Sequence, residues 1–489
     1  MYIGIDIGTS GIKGILLDDK HQILASHTES LTVSRPQALW SEQDPHSWWE
    51  AADKVMSALG QKHSLKDVQA IGLTGQMHGA VLLDKNGKIL RPAILWNDGR
   101  SYQECVELEQ AVPESRKITG NLMMPGFTAP KICWVRKYEP EIYSKIDKVL
   151  LPKDYLRWLI NGVFASDMSD AAGTMWMDVG ARSWYKPLLN ACGLTEDNMP
   201  KLFEGNESTG TIKPELANRW GMPKTVTITA GGGDNAAGAI GVGIWRKGQA
   251  MLSLGTSGVY FVASDGFLSN PEKAVHSFCH ALPNTWHLMS VMLSAASCLD
   301  WAAKITGVKS VPELLALAET TGKDPSSVIF LPYLSGERTP HNNAKATGCF
   351  MGLTHKHDRQ DIARAVVEGV SFGLAEGMEV LHATGIKPDN ISLIGGGARS
   401  AFWRQLLADI TGYPLDYREG GDVGPALGAA RLAMLSCNQN TSFGDLLPQP
   451  PVEASYIPHP DISVLYTEKY EQFKAIYKAL KPIFLKSLL

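Results

Sequence analysis

The chain has 489 residues, of which 44% are hydrophobic and 20% are charged, as is usual for a globular protein with a core of normal size. Its 46 basic and 50 acidic residues leave a net charge of −4, and no basic stretch stands out, so we expect no nucleic-acid partner. The length corresponds to two large domains or about three smaller ones.

Membrane, secretory and disulfide signals are all missing from the sequence. It has no run of roughly 18 apolar residues, so we expect no membrane-spanning segment. The first residues show no charged leader followed by a long apolar run, which argues against a secretory signal. The seven cysteines are scattered, with no C-x-x-C pair. That pattern favours reduced thiols in the cytoplasm over disulfides or a zinc site.

The first predicted element is a strand–turn–strand unit that returns near the middle of the chain. Residues 2–17 read as an apolar strand, a Gly-Thr-Ser-Gly turn at 8–11 and a second strand. Residues 249–263 repeat this plan around the same four residues at 255–258. Glycine and serine are common in hairpin turns, so chance is one explanation. A repeat between apolar strands about half a chain apart instead favours two domains of similar topology facing each other.

The rest of the chain alternates between strand-like and helix-like periods, which predicts an α/β protein. The remaining predicted elements are strands at 70–73 and 226–230, a helix at 361–380, a strand at 391–394, a helix at 399–411 and an amphipathic helix at 465–480. Segment 238–249 is rich in small residues, and we place the hinge between two domains there. The predicted domains are residues 1–245 and 246–489.

Glycine-rich turns follow four of the strands, around Gly8, Gly231, Gly255 and Gly395. Backbone N–H groups reach a phosphate most easily where no Cβ blocks the approach. None of the turns matches the P-loop pattern or the dinucleotide pattern G-x-G-x-x-G. Paired turns of this kind predict a nucleotide held between two lobes. The candidate contacts in these turns are Gly8, Thr9, Gly255 and Gly396.

Two charged residues flank the first glycine turn. Asp6 ends the first strand, whereas Ser253 holds the matching position in the repeat, so one lobe alone would carry a carboxylate beside the phosphates. Mg²⁺ prefers oxygen ligands, which makes Asp6 a candidate metal residue; a turn-capping aspartate is the structural alternative. Lys13 is a candidate phosphate contact acting as a point charge, or else a solvated lysine.

A second aspartate, Asp234, comes directly after three glycines, Gly231 to Gly233. A strand, a glycine turn and then an aspartate deliver a carboxylate to a cleft at the end of a sheet. Asp234 is therefore the candidate catalytic residue. Aspartate is also a good helix N-cap, but capping alone would not require the preceding glycines.

The segment Thr74 to Gly79 places Met77 and His78 between two glycines. A polar side chain beside a bulky apolar one suits a small polyol, and His78 could donate a hydrogen bond to a sugar oxygen. Taken alone, a single histidine is more often structural.

A group of polar residues in the second half lacks the i, i+4 spacing of a metal motif. We expect these residues to be solvated loop residues. They are His341, His355, His357 and Asp358.

Taken together, these motifs resemble those of the FGGY carbohydrate kinases. The segments that carry the resemblance are Asp6 to Gly11, Gly126 to Lys137 (with Lys131 and Trp134), Gly231 to Asn235, Leu254 to Ser257, Gly348 to Glu368 and Gly395 to Ala398. Tyr138 departs from the family pattern at a peripheral position. The resemblance runs from residue 2 to about 435. It implies two duplicated ribonuclease-H-like domains of the actin/hexokinase type, with a cleft between them.

The resemblance also implies the roles of individual residues. The sugar contacts would be Met77, His78, Asp234 and Asn235, with Asp234 as the general base. The nucleotide contacts would include Thr256, Gly397 and Ala398, and Asp6 would lie at Mg²⁺ and the phosphates. The first predicted domain would then bind the sugar, and the second would bind ATP.

Three segments bear on the substrate. Gln76 to Gly79, Trp96 to Asp98 and Leu334 to Pro340 resemble the family members that phosphorylate the ketose D-xylulose in xylose catabolism, whereas glycerol-specific members would carry Arg-Glu at Met77-His78. The expected partners are a small ketose and ATP, and a homodimer is left open. Two alternatives remain: a family member acting on ribulose, gluconate or glycerol, and a non-catalytic ATP-binding module of the actin type. The second is disfavoured because the chain ends soon after the second lobe.

Overall fold

The computed structural model describes residues 1–418 and 424–486. The elements of the first half are β1 (Tyr2–Ile7), β2 (Gly11–Leu17), β3 (Ile23–Ser30), β4 (Glu42–Gln43), α1 (Pro45–Lys62), β5 (Ala70–Gly75), β6 (Val81–Leu83), β7 (Ala93–Ile94), α2 (Tyr102–Ala111), α3 (Ser115–Thr119), α4 (Thr128–Tyr138), α5 (Pro140–Tyr143), β8 (Lys148–Leu150), α6 (Pro152–Asn161), β9 (Ala165–Asp167), α7 (Met168–Ala172), β10 (Met177–Asp178), β11 (Ser183–Trp184), α8 (Lys186–Ala191), a 3-10 helix (Glu196–Asn198), β12 (Lys201–Phe203), β13 (Ser208–Thr211), α9 (Pro214–Trp220), β14 (Thr227–Thr229), β15 (Gly232–Gly233) and α10 (Asp234–Gly241).

The second half continues the alternation of strands and helices. Its elements are β16 (Gln249–Leu254), β17 (Gly258–Ser264), a 3-10 helix (Pro271–Lys273), β18 (His276–Cys279), β19 (Trp286–Met292), α11 (Ala296–Thr306), α12 (Val311–Glu319), β20 (Ile329–Leu331), β21 (Cys349–Met351), α13 (Arg359–His382), β22 (Asn390–Ile394), a 3-10 helix (Gly396–Arg399), α14 (Ala401–Thr411), β23 (Leu415–Arg418), α15 (Pro425–Cys437), α16 (Phe443–Leu446), β24 (Val452–Tyr456) and α17 (Pro460–Leu485).

Two large sheets share one strand order. The first runs β3–β2–β1–β5–β14–β13, with β5 parallel to β1 and β14 and the other neighbours antiparallel. The second runs β19–β17–β16–β22–β23–β24 with the same pairing directions, and β18 extends it beyond β19. The repeated hairpins predicted this duplication, and the family resemblance implied the ribonuclease-H-like arrangement, so the predicted fold class is confirmed.

Strand β1 shows how the sheet positions Asp6. Its isoleucines Ile3, Ile5 and Ile7 are buried in one hydrophobic cluster with residues of α1. Because side chains alternate between the two faces of a strand, Gly4 and Asp6 lie on the opposite face. Asp6 therefore leaves the sheet on the face away from α1.

Helix α15 covers that opposite face, although it comes from the far end of the chain. A Cβ on Gly4 would lie 1.9 Å from the carbonyl oxygen of Ala426, and one on Gly72 would lie 1.9 Å from that of Ala429. Glycine on two neighbouring strands thus allows the backbone of α15 to rest directly on the sheet. Gly428, on the same helix, likewise allows the backbone of α15 to pack directly against the backbone of α10.

The predicted hinge segment 238–249 begins inside helix α10, which ends at Gly241 and packs against α15. The guanidinium of Arg431 on α15 donates to the carbonyls of Ile240 and Gly241 at 3.2 and 3.1 Å. The strands of the first large sheet all come before the predicted domain boundary, and those of the second all come after it. Helix α15, from the second predicted domain, nevertheless packs on the first sheet. Motion at this crossing stays a prediction, and residues 419–423 and 487–489 of the second predicted domain lie outside the described residues.

The prediction that four polar residues form a solvated loop is wrong for His341. Its ring stacks on Tyr477 of α17 with centroids 3.5 Å apart, and its Nε2 lies 3.1 Å from Glu376. Asp358 is exposed, but it caps helix α13 by accepting from the backbone N–H of Gln360. Local spacing could not reveal the C-terminal helix that covers His341.

Most predicted elements lie within a few residues of the observed ones. The helix predicted at 361–380 spans Arg359–His382 because its cap is Asp358. The helix predicted from residue 399 begins at Ala401, since Gly396–Arg399 forms a 3-10 helix first. Within residues 1–418 and 424–486, none of the helices has the length and apolar character needed to cross a bilayer.

Candidate active site

The two predicted aspartates meet at one edge of the first sheet. Asp6 lies opposite Thr74 in the β1–β5 pair, and Gly233, directly before Asp234, lies opposite Gly75 at the end of β5. Both carboxylates therefore leave the sheet at the carboxyl ends of parallel strands, the usual place for a ligand in such sheets. Burial and the charge of Asp234 raise the pKa of Asp6 to about 7.

Asp234 is the first residue of α10, and its neighbour orients it. Its Oδ1 accepts hydrogen bonds from the backbone N–H of Asn235 at 2.8 Å and from the side-chain amide of Asn235 at 2.9 Å. Burial raises the pKa of Asp234 to about 6, while these hydrogen bonds oppose the rise. A carboxylate with a pKa close to neutral pH, held in one orientation, suits a general base.

The surroundings of Asp6 fit a divalent cation. Among the described residues, its buried Oδ1 has no hydrogen-bond partner, and such an atom is costly unless it is paired. Lys13, opposite Asp6 in the hairpin, lowers the pKa of Asp6 but does not offset burial. The described ranges 1–418 and 424–486 hold no cluster of three or more His, Cys, Asp or Glu suited to a metal. Mg²⁺ at Asp6 would therefore need phosphate and water oxygens as further ligands.

The backbone of His78 is held in an unusual conformation. Its φ is 68°, in the left-handed region that is strained for most residues. Its carbonyl oxygen accepts from the ammonium of Lys131 at 2.8 Å and from Thr128 Oγ1 at 3.2 Å. Its ring fits against Gly173, where a Cβ would lie 2.4 Å from the imidazole. Strained backbone held by several partners often marks a functional site.

The imidazole of His78 is neutral, and its Nε2 is a hydrogen-bond acceptor. Burial and the charge of Lys131 lower the pKa of His78 to about 3. The ring Nδ1 lies 2.8 Å from the carbonyl oxygen of Gly173 and must donate to it, so Nε2 keeps its lone pair. The expectation that His78 donates to a sugar oxygen is therefore wrong, because Gly173 takes the single ring N–H.

The glycine segment before the candidate base is held from two sides. Met77 is buried against Gly233, whose Cβ would lie 2.9 Å from Met77 Cγ. On the other side, the backbone N–H of Gly233 donates to Ser169 Oγ at 3.0 Å. The hydroxyl of Ser169 in turn donates a hydrogen bond to Asp167, and Asp167 forms an ion pair with the buried ammonium of Lys153 at 2.7 Å. The sequence motifs did not reveal this support, and its main sequence signal is the group of charged residues Lys153, Asp154 and Arg157 on one short helix.

The first glycine turn lies beside Asp6 and is fixed by polar side chains. Thr9 Oγ1 accepts from the indole N–H of Trp96 at 2.9 Å and donates to Gln76 at 3.2 Å. The amide of Gln43 donates to the Thr9 carbonyl at 2.7 Å. Gly8 closes the turn by donating to Gly11 at 2.9 Å. The predicted Gly8, Thr9 and Lys13 thus sit together on the first sheet.

The second sheet borders a cavity of about 720 Å³, within the usual range for a small-molecule site. Four of the predicted nucleotide contacts line it, namely Gly255, Thr256, Gly396 and Gly397. The opposite wall comes from α11 and α12 and was not predicted. Its residues include Asp300, Pro312, Leu315, Ala316 and Glu319.

Ala398 stands apart from the other predicted nucleotide contacts. Its side chain is fully buried in the core of the second half, and within the described residues it is not part of the cavity lining. Its backbone N–H donates to Gly395 at 3.0 Å. Ala398 therefore shapes the glycine turn from behind.

These features define a two-lobed protein with paired carboxylates on one sheet and a nucleotide-sized cavity on the other, as in sugar kinases with this duplicated fold. Sequence models for the N-terminal and C-terminal domains of the FGGY family of carbohydrate kinases match residues 1–241 and 250–437. The chain belongs to this family of ATP-using carbohydrate kinases.

Individual relatives cover the whole chain. A xylulose kinase from Escherichia coli strain K12 is 63% identical over 483 residues, which are 99% of this chain and 100% of that protein. A solved xyloylose kinase from Brucella ovis superposes with a TM-score of 0.94 at 45% identity, with 99% of each chain covered. A gluconate kinase from Lactobacillus acidophilus has the same TM-score and coverage at 26% identity. Similarity of fold alone therefore does not select the sugar.

Proposed function

We propose that this protein transfers the terminal phosphate of ATP to D-xylulose and forms D-xylulose 5-phosphate. The observation that carries the proposal is the 63% identity, over essentially the full length of both chains, to the E. coli xylulose kinase. The packing of Met77 against Gly233, directly before Asp234, supports it, because an apolar and a hydrogen-bonding side chain near a carboxylate suit a short polar sugar.

The residues of the site suggest how the transfer proceeds. Asp234, oriented by Asn235, takes the proton from the terminal hydroxyl of the sugar as that oxygen attacks the γ-phosphorus. The new O–P bond forms, the bond from phosphorus to the β,γ-bridging oxygen breaks, and ADP leaves. Most of the rate comes from positioning and charge stabilisation, since phosphoryl transfer needs little covalent help from a protein.

Asp6 and Lys13 would serve the phosphates. Asp6 would hold Mg²⁺, which when bound supplies charge neutralisation to the nucleotide. Lys13 would place a positive charge beside the same groups. The turn at Gly8 and Thr9 would offer backbone N–H groups to phosphate oxygens.

The two predicted domains would divide the substrates. Residues 1–245 would bind xylulose, and residues 246–489 would bind ATP in the cavity lined by Gly255, Thr256, Gly396 and Gly397. A cytoplasmic location and a homodimer stay predictions.

The test is a substrate panel in which ADP release is measured with D-xylulose, L-ribulose, D-gluconate and glycerol. We expect the highest kcat/KM for D-xylulose. An Asp234→Asn variant, purified identically, controls for contaminating kinases. A kcat/KM for any other acceptor equal to or above that for D-xylulose would overturn the proposal. ADP release that does not depend on any sugar would favour the actin-type alternative.

A further inference from the structure

Arg338 is a cation of the second half that no proposed role yet uses. It belongs to the loop Leu334 to Pro340 of the second half, and its side chain is largely enclosed. Its Nη1 lies 3.4 Å from Nε2 of His276 on β18. Glu337 beside it accepts instead from the backbone N–H groups of Leu293 and Arg338. Among the described residues, no carboxylate lies within ion-pair distance of this guanidinium.

An aromatic layer connects Arg338 to His78, the candidate sugar contact of the first half. The ring of His276 lies 5.7 Å from that of Phe127, and Phe127 meets the ring of His78 edge-on at 4.8 Å. Phe278 closes the layer, 6.1 Å from His78. The charge of Arg338 is close enough to contribute to the low pKa of His78. Arg338 and His78 thus lie at the two ends of one aromatic layer, on opposite halves of the protein.

The hydrogen bonds of His276 determine which of its ring atoms faces Arg338. The side-chain amide of Asn121 donates to the carbonyls of Thr119 and Ser277, each at 2.8 Å. Its Oδ1 is therefore the acceptor, and Nδ1 of His276 donates to it at 3.3 Å. Nε2 then accepts from Arg338, and a guanidinium has five N–H donors. Most donors of Arg338 stay available to a ligand.

The two halves therefore offer donors from Arg338 and an acceptor from His78. Arg338 only donates, and Nε2 of His78 only accepts. A ketose offers the matching pair at its 2-oxo end, where the ketone oxygen only accepts and the neighbouring C1 hydroxyl donates. A polyol carries a hydroxyl at both positions, and a hydroxyl is a weaker acceptor for a cation than a ketone.

We propose that Arg338 is a specificity-determining residue that donates hydrogen bonds to the ketone oxygen of the sugar, while Nε2 of His78 accepts from the adjacent C1 hydroxyl. The inference rests on the proposed function, since it deepens the assignment of a ketose substrate. It also explains why a guanidinium with no carboxylate partner among the described residues is enclosed here. A buried charge is costly unless it is paired or hydrogen-bonded, and the bound ketone would supply the missing acceptor.

The test compares binding of D-xylulose and of xylitol, which lacks the ketone, by calorimetry without ATP. Arg338→Met should weaken xylulose binding roughly 10- to 100-fold, the usual cost of losing a buried hydrogen bond to a charged group. Xylitol binding should weaken less than xylulose binding, because a hydroxyl can also accept from that donor but is the weaker acceptor. Arg219→Met is the matched control, since Arg219 pairs with Asp53 at the surface, and both affinities should stay unchanged.

Equal weakening of both ligands, or unchanged xylulose binding, would overturn the inference. Thermal unfolding checks that Arg338→Met folds. If it does not, Arg338→Lys keeps the charge but loses the planar donor fork, and it should still weaken xylulose more than xylitol. Failure of the proposed function is a separate result: the wild-type protein would then prefer another sugar in the substrate panel. A wild-type preference for xylulose with unchanged selectivity in the Arg338 variants refutes only this inference.

Discussion

The hairpins β1–β2 and β16–β17 are copies of one backbone with different chemistry. In the first, Asp6 faces Lys13 across the strand pair. In the second, Ser253 and Val259 occupy the matching positions. Each hairpin also pairs in parallel with the following central strand of its sheet. Duplication has thus preserved the order and direction of the strands, while the hairpin register differs by one residue and the charged pair is present in only one copy.

The two turns also differ in what surrounds them. The first is held by the side chains of Gln43, Gln76 and Trp96 around Thr9. In the second, Thr256 is exposed and lines the cavity, and its carbonyl accepts from the backbone N–H of Ala295 at 3.0 Å. A rigid turn beside paired charges suits the reacting groups, and an open turn beside a cavity suits the body of the nucleotide.

The largest effect should follow loss of the candidate base, Asp234. Asp234→Asn should lower kcat on the order of 10²- to 10⁴-fold, because a positioned base contributes that much. ATP binding by calorimetry should survive, since the cavity lies on the other sheet. More than about a tenth of wild-type turnover with saturating xylulose would mean that another residue is the base.

The matched pair Asp6→Ala and Ser253→Ala tests the comparison directly. Asp6→Ala should lower turnover on the order of 10²-fold at limiting Mg²⁺, as for loss of one preorganised electrostatic contact, and added Mg²⁺ should restore part of it. Ser253→Ala should stay within about 3-fold of wild type, as a hydroxyl contributes little here. Steady-state rates across a Mg²⁺ series give both values. Equal defects would show that the charge asymmetry does not matter.

A second pair of variants tests the division of substrates between the halves. His78→Ala should lower kcat/KM for xylulose roughly 5- to 150-fold, because a hydrogen-bond partner is lost, with the KM for ATP unchanged. Ala316→Phe, on the cavity wall, should raise the KM for ATP roughly 5-fold or more by overfilling the cavity, with the KM for xylulose unchanged. If either variant changed the KM for the other substrate instead, the assignment of lobes would be wrong.

The smallest effect concerns stability. The pKa of Asp6 is raised in the folded protein to about 7 from 3.8, so folding favours its protonated form. The associated stability is fully present below about pH 4 and is lost as the pH rises through about 7. Asp6→Asn removes the titrating carboxylate and therefore removes this loss of stability at high pH. It should therefore raise Tm by roughly 1–4 °C at about pH 8 without Mg²⁺, with a smaller gain at about pH 5. A lower Tm at the higher pH would contradict the buried, repelled carboxylate.

The sequence by itself determined the duplicated hairpins, the α/β class and the candidate positions of Asp6 and Asp234. These features are local: strand periods, glycine turns and the residues that follow them can be read from a short window. The glycine turns at 255 and 396 were predicted for the same reason, and the structure places both in one cavity.

Only the tertiary structure decided which distant residues complete these sites. The α12 wall of the cavity, Ser169 behind Gly233, and Arg338 beside His276 all depend on contacts between segments far apart in the chain. The hydrogen-bonding direction of His78 depends on Gly173, which takes its single ring N–H. Periodicity reports which face of an element is buried, but it does not report which element covers that face.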